Sequence, residues 1–375
     1  MSDVTKLFAE LENIVDNPKT MMSKYSAEGK KIIGCFPVYI PGEIIHAAGM
    51  IPFGLWGGQC VPSVSGKYSP LATCSIMHSC LEFGMTGKYD GVSAVVMPML
   101  CDTFRGMSAA WRVGIPNIPL IAFIHPQNRG SAGALDFLIA EYNRVKADIE
   151  AVCGRKITDE DLANSIKVYN EHNAVMREFM KVANEHLDIV TANIRHTVMK
   201  SAHFMERTEH AAIVSKIIAL LKEQPIHNWK GRKIILTGIT GEPKELLNYL
   251  TEYNIAVVGD DLAQESRQFR TDIPDDGDTP IERLARQWFD RRACSVVYEK
   301  SSTRGDFIVE LAKENNADGI AYCLMAFCDV EEYEYPMVLE KAKAAGLHTL
   351  TLAIDQSTDN IQQSKTKIQT FAEML

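Results

Sequence analysis

Most of the chain mixes apolar and polar positions, but two uninterrupted apolar runs break that texture, and they repeat one another. Asp90–Asp102 reads DGVSAVVMPMLCD and Asp318–Asp329 reads DGIAYCLMAFCD. In each, Asp-Gly precedes an apolar stretch that ends at Cys-Asp, with eleven residues from Asp to Cys in the first copy and ten in the second. A continuous run of this kind suits a central parallel strand covered on both faces. Ligand chemistry in open α/β sheets sits just beyond the carboxyl ends of such strands. Two cysteines, one from each half-chain, are therefore expected to face each other across a cleft.

The pattern around these runs alternates strand and helix. Ile32–Phe36 reads as a first strand, Pro41-Gly42 opens a helix through Ala48, and Met50–Trp56 gives a second strand. Leu71–Met85 places Cys74, Met77, His78, Leu81 and Met85 at helical spacing, and Pro119–Ile124 makes a fourth strand after Val92–Met97. Lys233–Gly238, Ile255–Asp261, Gly319–Phe327 and Thr349–Asp355 supply four more, and Ser357–Leu375 closes the chain as a helix. Between the two sets, from about Ala132 to Glu223, the period turns helical. Thr158 and Asp161 form a capping-box pattern there, ahead of an apolar stripe at Leu162, Ile166 and Tyr169. The histidines of this block, His172, His186, His196, His203 and His210, sit among charged residues and are expected on the surface.

The predicted fold is α/β: two duplicated Rossmann-like parallel-sheet units with a helical segment between or flanking them. The expected divisions are an N-terminal helix over 1–30, a first α/β unit over 31–131, a helical segment over 132–230 and a second α/β unit over 231–375.

At 375 residues, 46% apolar and 23% charged, the chain has ample material for proper cores. A net charge of −9 argues against nucleic acid or an anionic membrane as the main partner. No apolar run is long enough to span a bilayer, and the acidic amphipathic N-terminus does not read as a signal peptide, so a cytoplasmic location is expected. The cysteine count, nine, is odd and contains no Cys-x-x-Cys pair, which speaks against a disulfide framework, a zinc ribbon or a thioredoxin-type site. Dispersed thiolates gathered by the fold remain compatible with an iron–sulfur cluster.

Other motifs carry less. Gly238-x-x-Gly241 follows a strand but lacks the third glycine of a dinucleotide fingerprint. Ser65-Gly66-Lys67 has Val61 where a P-loop requires glycine. Asp260-Asp261 at a strand end fits a helix cap better than a metal site, for want of a nearby histidine–carboxylate set. The cysteines remain the strongest signal. Cys101 and Cys328 end equivalent strands, and Cys74 starts a helix, whose positive dipole end favours a thiolate. Three such ligands leave one iron of a 4Fe–4S cluster for another group. Cys80, Cys323 or a non-protein ligand are the candidates, and both cysteines fit core-facing positions equally well. A non-catalytic iron–sulfur electron-transfer protein stays open on these residues.

Five segments, PGEIIHAAGMIPFGLWGG, the Cys74 helix start, VVMPMLCD, VVGDDL and MAFCDVEEYEYP, together resemble the 2-hydroxyacyl-CoA dehydratase family, which includes the benzoyl-CoA reductase subunits. The Phe327-Cys328-Asp329 ending looks like the family's β subunit. The resemblance implies Cys74, Cys101 and Cys328 as ligands of a 4Fe–4S cluster. It also implies a homologous α subunit that carries the substrate-binding cluster and most of the acyl-CoA site. A separate ATP-dependent iron–sulfur activator then injects one electron, and a ketyl radical expels the hydroxyl of an (R)-2-hydroxyacyl-CoA, with (R)-2-hydroxyisocaproyl the expected acyl group. In a benzoyl-CoA-type reductase the electrons would be consumed rather than recycled. One departure is Thr366-Lys367, where the family often carries Thr-Arg, and lysine lacks the planar fork of a bidentate contact.

Overall fold

The structure is a computed structural model that describes residues 2–70, 72–356 and 361–375. Two parallel four-stranded sheets of one strand order form its frame. The first holds β1 (Ile32–Cys35), β2 (Ile51–Gly54), β3 (Val92–Pro98) and β4 (Leu120–Phe123) in the order β2-β1-β3-β4. The second holds β5 (Arg232–Gly238), β6 (Ile255–Leu262), β7 (Gly319–Met325) and β8 (His348–Ile354) in the order β6-β5-β7-β8. The duplication expected from the repeated apolar runs is thus present in the topology. Of the second sheet's edge strands, β8 alternates, with Leu350, Leu352 and Ile354 buried and the residues between them more exposed, whereas β6 is buried along its whole length. The inner strand β3, with Ala94 through Met97 fully buried, is covered on both faces.

Helices α1 (Asp3–Asp16) and α2 (Lys19–Ala27) precede the first sheet, and α3 (Gly42–Ala47), α4 (Ser75–Met85) and α5 (Asp102–Gly114) join its strands. Four helices then run between the sheets: α6 (Ala134–Cys153), α7 (Asp159–Glu185), α8 (Ala192–Ser201) and α9 (Arg207–Lys222). The second unit carries α10 (Lys244–Glu252), α11 (Pro280–Asp290), α12 (Arg304–Glu314), α13 (Asp329–Ala344) and α14 (Ile361–Met374). The expected starts of two helices, Leu71 and Ser357, lie outside the described residues. The Thr158 capping box is present in both directions at the start of α7, and Leu162, Ile166 and Tyr169 are buried beneath it. Among the described residues no helix is long and apolar enough to cross a membrane.

The histidine expectation is overturned. His172, His186, His196 and His210 are at most 4% exposed, and His203 is largely covered. The cause is that α7, α8 and α9 are wrapped by α1, α3, α10 and α11, so faces that read as polar are interfaces between helices. Polar partners replace water there. His172 Nε2 lies 2.9 Å from His210 Nδ1, His210 Nε2 lies 3.0 Å from Ser201 Oγ, and His196 Nδ1 lies 2.7 Å from Glu265 Oε1.

The two units also meet directly. Trp288 Nε1 donates to Pro126 O at 3.3 Å, and the Arg291 guanidinium lies 3.9 Å from the centre of the Tyr39 ring. Nearer the cysteines, Cys60 N donates to Gln356 O at 3.2 Å and Gln356 N to Ser75 Oγ at 3.1 Å.

Candidate functional site

All three cysteines singled out by the sequence occupy one kind of place. Cys74 is the N-cap of α4, Cys101 of α5 and Cys328 of α13. Each is the last extended or turn residue before a run of unpaired helical N–H groups, whose partial positive charge favours an anion. Cys74, expected at a helix start, stands one residue before the first helical residue, Ser75, as its cap. Both β3 and β7 adjoin the first strand of their own sheet, where the strand order reverses, so Cys101 and Cys328 stand at the topological switch points.

The fold brings these three together. Burial pushes the Cys74 thiol up to about 12, with the Met77 N–H pulling back and Cys101 and Asp329 adding to the rise. Burial also raises Cys328, to which Glu331, Cys74 and Cys101 contribute, and it raises Cys101, to which Asp329 and Asp102 contribute. The three sulfurs therefore share one electrostatic neighbourhood. Two clefts border it. One, of about 210 Å³, is lined by Thr73, Asp102, Thr103 and Asp329; the other, of about 420 Å³, by Cys60, Ser75, His78, Phe327 and Gln356.

As bare thiols these groups stay protonated at neutral pH, whereas a bound soft cation deprotonates its thiol ligands outright. Three anionic sulfurs facing three helix N-termini fit a thiolate-held cluster in donor type and electrostatics. Among the described residues no group of three His, Cys, Asp or Glu side chains suits a single metal ion. A cluster differs because its own iron and sulfide atoms occupy the centre and spread the ligands apart.

Cys80 and Cys323 sit elsewhere in the packing. Cys80 is fully buried on α4 and its thiol lies 3.2 Å from Leu55 O; Cys323, 2% exposed, pairs with Gly238 across β5 and β7. The Asp260-Asp261 pair divides its work. Asp260 is not the helix cap expected: its Oδ1 accepts from Leu262 N at 3.2 Å and from Ser266 N at 3.0 Å, which ties the strand end to a short 3-10 turn whose N-cap is Glu265. Asp261 Oδ2, by contrast, accepts from Arg267 at 2.9 Å and from Arg304 at 2.8 Å. Burial would raise the Asp261 carboxyl, but Arg267, Arg304 and Arg270 outweigh it and hold it below the carboxylate range. Arg304 also donates to Glu331, in the first turn of α13, at 2.8 Å. Sequence reasoning passed over Arg267, Arg304 and Glu331. The one available signal was Glu331 three residues beyond Cys328, on the turn that the cysteine caps.

Fold and site define a duplicated α/β protein with three thiols converging at helix caps. The sequence profile described as 2-hydroxyglutaryl-CoA dehydratase, D-component, matches residues 37–375. The chain is 41% identical over 377 residues to lactoyl-CoA dehydratase subunit beta of Anaerotignum propionicum, covering 100% of both chains. It is 39% identical over 376 residues to the (R)-phenyllactyl-CoA dehydratase beta subunit of Clostridium sporogenes, again covering 100% of both. With (R)-2-hydroxyglutaryl-CoA dehydratase, subunit beta, of Acidaminococcus fermentans it shares 36% identity over 377 residues, covering 99% of this chain and 100% of that one. The chain belongs to the 2-hydroxyacyl-CoA dehydratase family.

Proposed function

We propose that this chain is the iron–sulfur β subunit of a radical (R)-2-hydroxyacyl-CoA dehydratase, a cytoplasmic hydro-lyase that forms a 2-enoyl-CoA. The observation that carries the reading is the convergence of Cys74, Cys101 and Cys328, each at a helix N-cap, from both halves of the duplicated fold. These three would hold one 4Fe–4S cluster. When bound, such a cluster supplies one-electron chemistry at low potential, which amino-acid side chains lack.

The chain's own contribution is to place the thiolates and to keep them dry. Val95, Val96, Met97 and Met325, on the strands behind Cys101 and Cys328, are at most 1% exposed. An apolar shell of this kind limits water and disfavours added negative charge. On the outer side Phe327 is 50% exposed and Val61 83% exposed, a rim suited to cover by a partner. The partners in this reading are a homologous α subunit, which holds most of the acyl-CoA, and an ATP-dependent iron–sulfur activator.

The named relatives act on three different 2-hydroxyacyl groups, so identity supports the reaction class more than one acyl chain. From the likeness of the motif segments we propose conversion of (R)-2-hydroxyisocaproyl-CoA to isocaprenoyl-CoA. Anaerobic co-purification with the α subunit, iron and sulfide analysis, and turnover with competing 2-hydroxyacyl-CoA esters test the proposal. Water loss at catalytic ATP is the expected result. ATP use in step with turnover would make the protein a reductase subunit, and iron without turnover of any ester would make it an electron carrier.

A further inference from the structure

Behind Cys328 lies a closed set of charges that ligation alone does not call for. Asp261, Arg267, Arg304 and Glu331 are each at most 1% exposed. Buried ion pairs add little net stability, because desolvating the charges offsets their attraction, yet removing one partner strands the other. What a saturated network does is fix directions, and this one is aimed at the start of α13. Glu331 Oε2 accepts from Tyr322 OH at 2.6 Å and from Arg304 at 2.8 Å. Its Oε1 accepts from Ser295 Oγ at 2.6 Å and from Arg267 at 3.2 Å.

Those four bonds hold a residue whose own N–H donates to Cys328 O at 2.9 Å. In a capping box the third residue of a helix turns its carboxylate back to the cap. Glu331 points inward instead, and its neighbour Glu332 takes the outer duty, accepting from Phe327 N at 3.1 Å. Phe327 itself is left-handed, with φ +60°. The turn before Cys328 is thus gripped from both sides. The matching first turn of α5 differs: Asp102 is exposed and paired with Arg105 at the surface.

We propose that Glu331, held by Arg304, Arg267 and Tyr322, is a positioning residue that aims the Cys328 sulfur toward Cys74 and Cys101. The inference rests on reading those cysteines as one ligand set. Thiol alkylation of the metal-free full-length chain, followed cysteine by cysteine by mass spectrometry, measures it. Tyr322→Phe keeps the ring and removes the hydroxyl that donates to Glu331 Oε2 and, at 3.3 Å, to Glu331 O, and that accepts from Arg304 at 3.1 Å. Glu331→Gln keeps the shape and removes the charge. Rates are compared per thiolate, from pH–rate profiles, because removing the Glu331 charge by itself eases ionisation of Cys328. On that basis Cys328 should react about fivefold faster in Tyr322→Phe and about tenfold or more in Glu331→Gln, with Cys74 and Cys101 within about twofold of wild type. The melting temperature of metal-free Tyr322→Phe should fall by no more than a few degrees, because one Arg304 N–H loses its acceptor, and reconstituted Tyr322→Phe should lose iron to a chelator about fivefold faster. An unchanged Cys328 rate, or equal acceleration of all three thiols, overturns the assignment. If Glu331→Gln does not fold, Tyr322→Phe decides alone. If the reconstituted wild-type chain takes up no iron, the cluster reading fails by itself, and the alkylation rates still decide whether Glu331 places Cys328.

Discussion

Cys101 and Cys328 occupy the same point of two topologically identical half-molecules. Each lies three residues beyond the end of the third strand of its sheet, and each caps the helix that follows. The one-residue difference in their spacing from Asp90 and Asp318 is absorbed before the strands begin. Gly91, at φ +102°, is a turn residue outside β3, whereas Gly319 is the first residue of β7. Register is thereby kept at the end of the strand that leads to the cysteine.

Alanine at Cys74, Cys101 or Cys328 is expected to lower the iron content of the anaerobically purified protein, because each removes one of three converging thiols. Cys153, at the far end of α6 with its thiol 3.2 Å from Arg155 O, serves as the control, and Cys153→Ala should retain wild-type iron. Full iron loading in Cys101→Ala or Cys328→Ala would remove the basis of the ligand assignment.

What the sequence made readable was whatever repeats over short range. Strand–helix alternation, the Thr158 cap and the Cys101 and Cys328 strand ends all depend on neighbours within a few residues. The histidines were misplaced because their local surroundings are charged while their partners, such as Glu265 for His196, arrive from another element. Asp261 shows the same limit. Its partners Arg267 and Arg304 come from separate segments, and Glu331 closes the set from a third, so no window of sequence contains the network. Cys74 was found as a helix start but not as a cap, since the boundary of a helix is set by its hydrogen bonds rather than its periodicity.

Dehydratase turnover is expected only when the α subunit is present. Phe327, 50% exposed beside Cys328, and Tyr333, 81% exposed on α13, are large apolar side chains that one chain leaves uncovered. Obligate subunit interfaces commonly bury more than about 2,000 Å² and are rather apolar. The assay combines purified chain, activator, ATP and 2-hydroxyacyl-CoA with and without the α subunit. Turnover by this chain without its partner would contradict the division of labour.

Gly57 and Gly29 separate backbone strain from packing. Both are left-handed, at φ +70° and +75°. A Cβ at Gly29 meets nothing within 4 Å, so Gly29→Ala should lose only about 1 kcal/mol from conformation. A Cβ at Gly57 collides with Ser79 Oγ on α4, the helix that Cys74 caps. Gly57→Ala should therefore lose roughly 2–4 kcal/mol, because overpacking adds to the strain. Urea midpoints measure both, and equal losses would show that the loop at Gly57 is free to move away from α4.

Acid should destabilise the chain well above the carboxylate range, through its buried imidazoles. Burial, reinforced by the Arg207 charge, depresses His210 to about 3 and His172 well below its ordinary 6.5. Burial likewise takes His203 to about 3. A depressed folded value means that the unfolded chain binds more protons once the pH drops below 6.5, so stability is lost from there downward. Burial takes His125 to about 3 as well, so that one unit below 6.5, at roughly 1.4 kcal/mol for each imidazole, the four together remove about 5–6 kcal/mol. Asp260 acts in the opposite sense, since burial and Glu265 raise its carboxyl to about 6 and the folded chain gains a proton in the same window. That offset is under about 1 kcal/mol at pH 5.5. Asp261 and Glu331, both depressed, lose their contribution only at lower pH. Denaturant unfolding at pH 7.5 and 5.5 measures the balance. His210→Asn, which cannot titrate, should shrink the difference between the two pH values by about 1.4 kcal/mol. An undiminished difference in His210→Asn would mean that this imidazole already carries its proton in the folded protein.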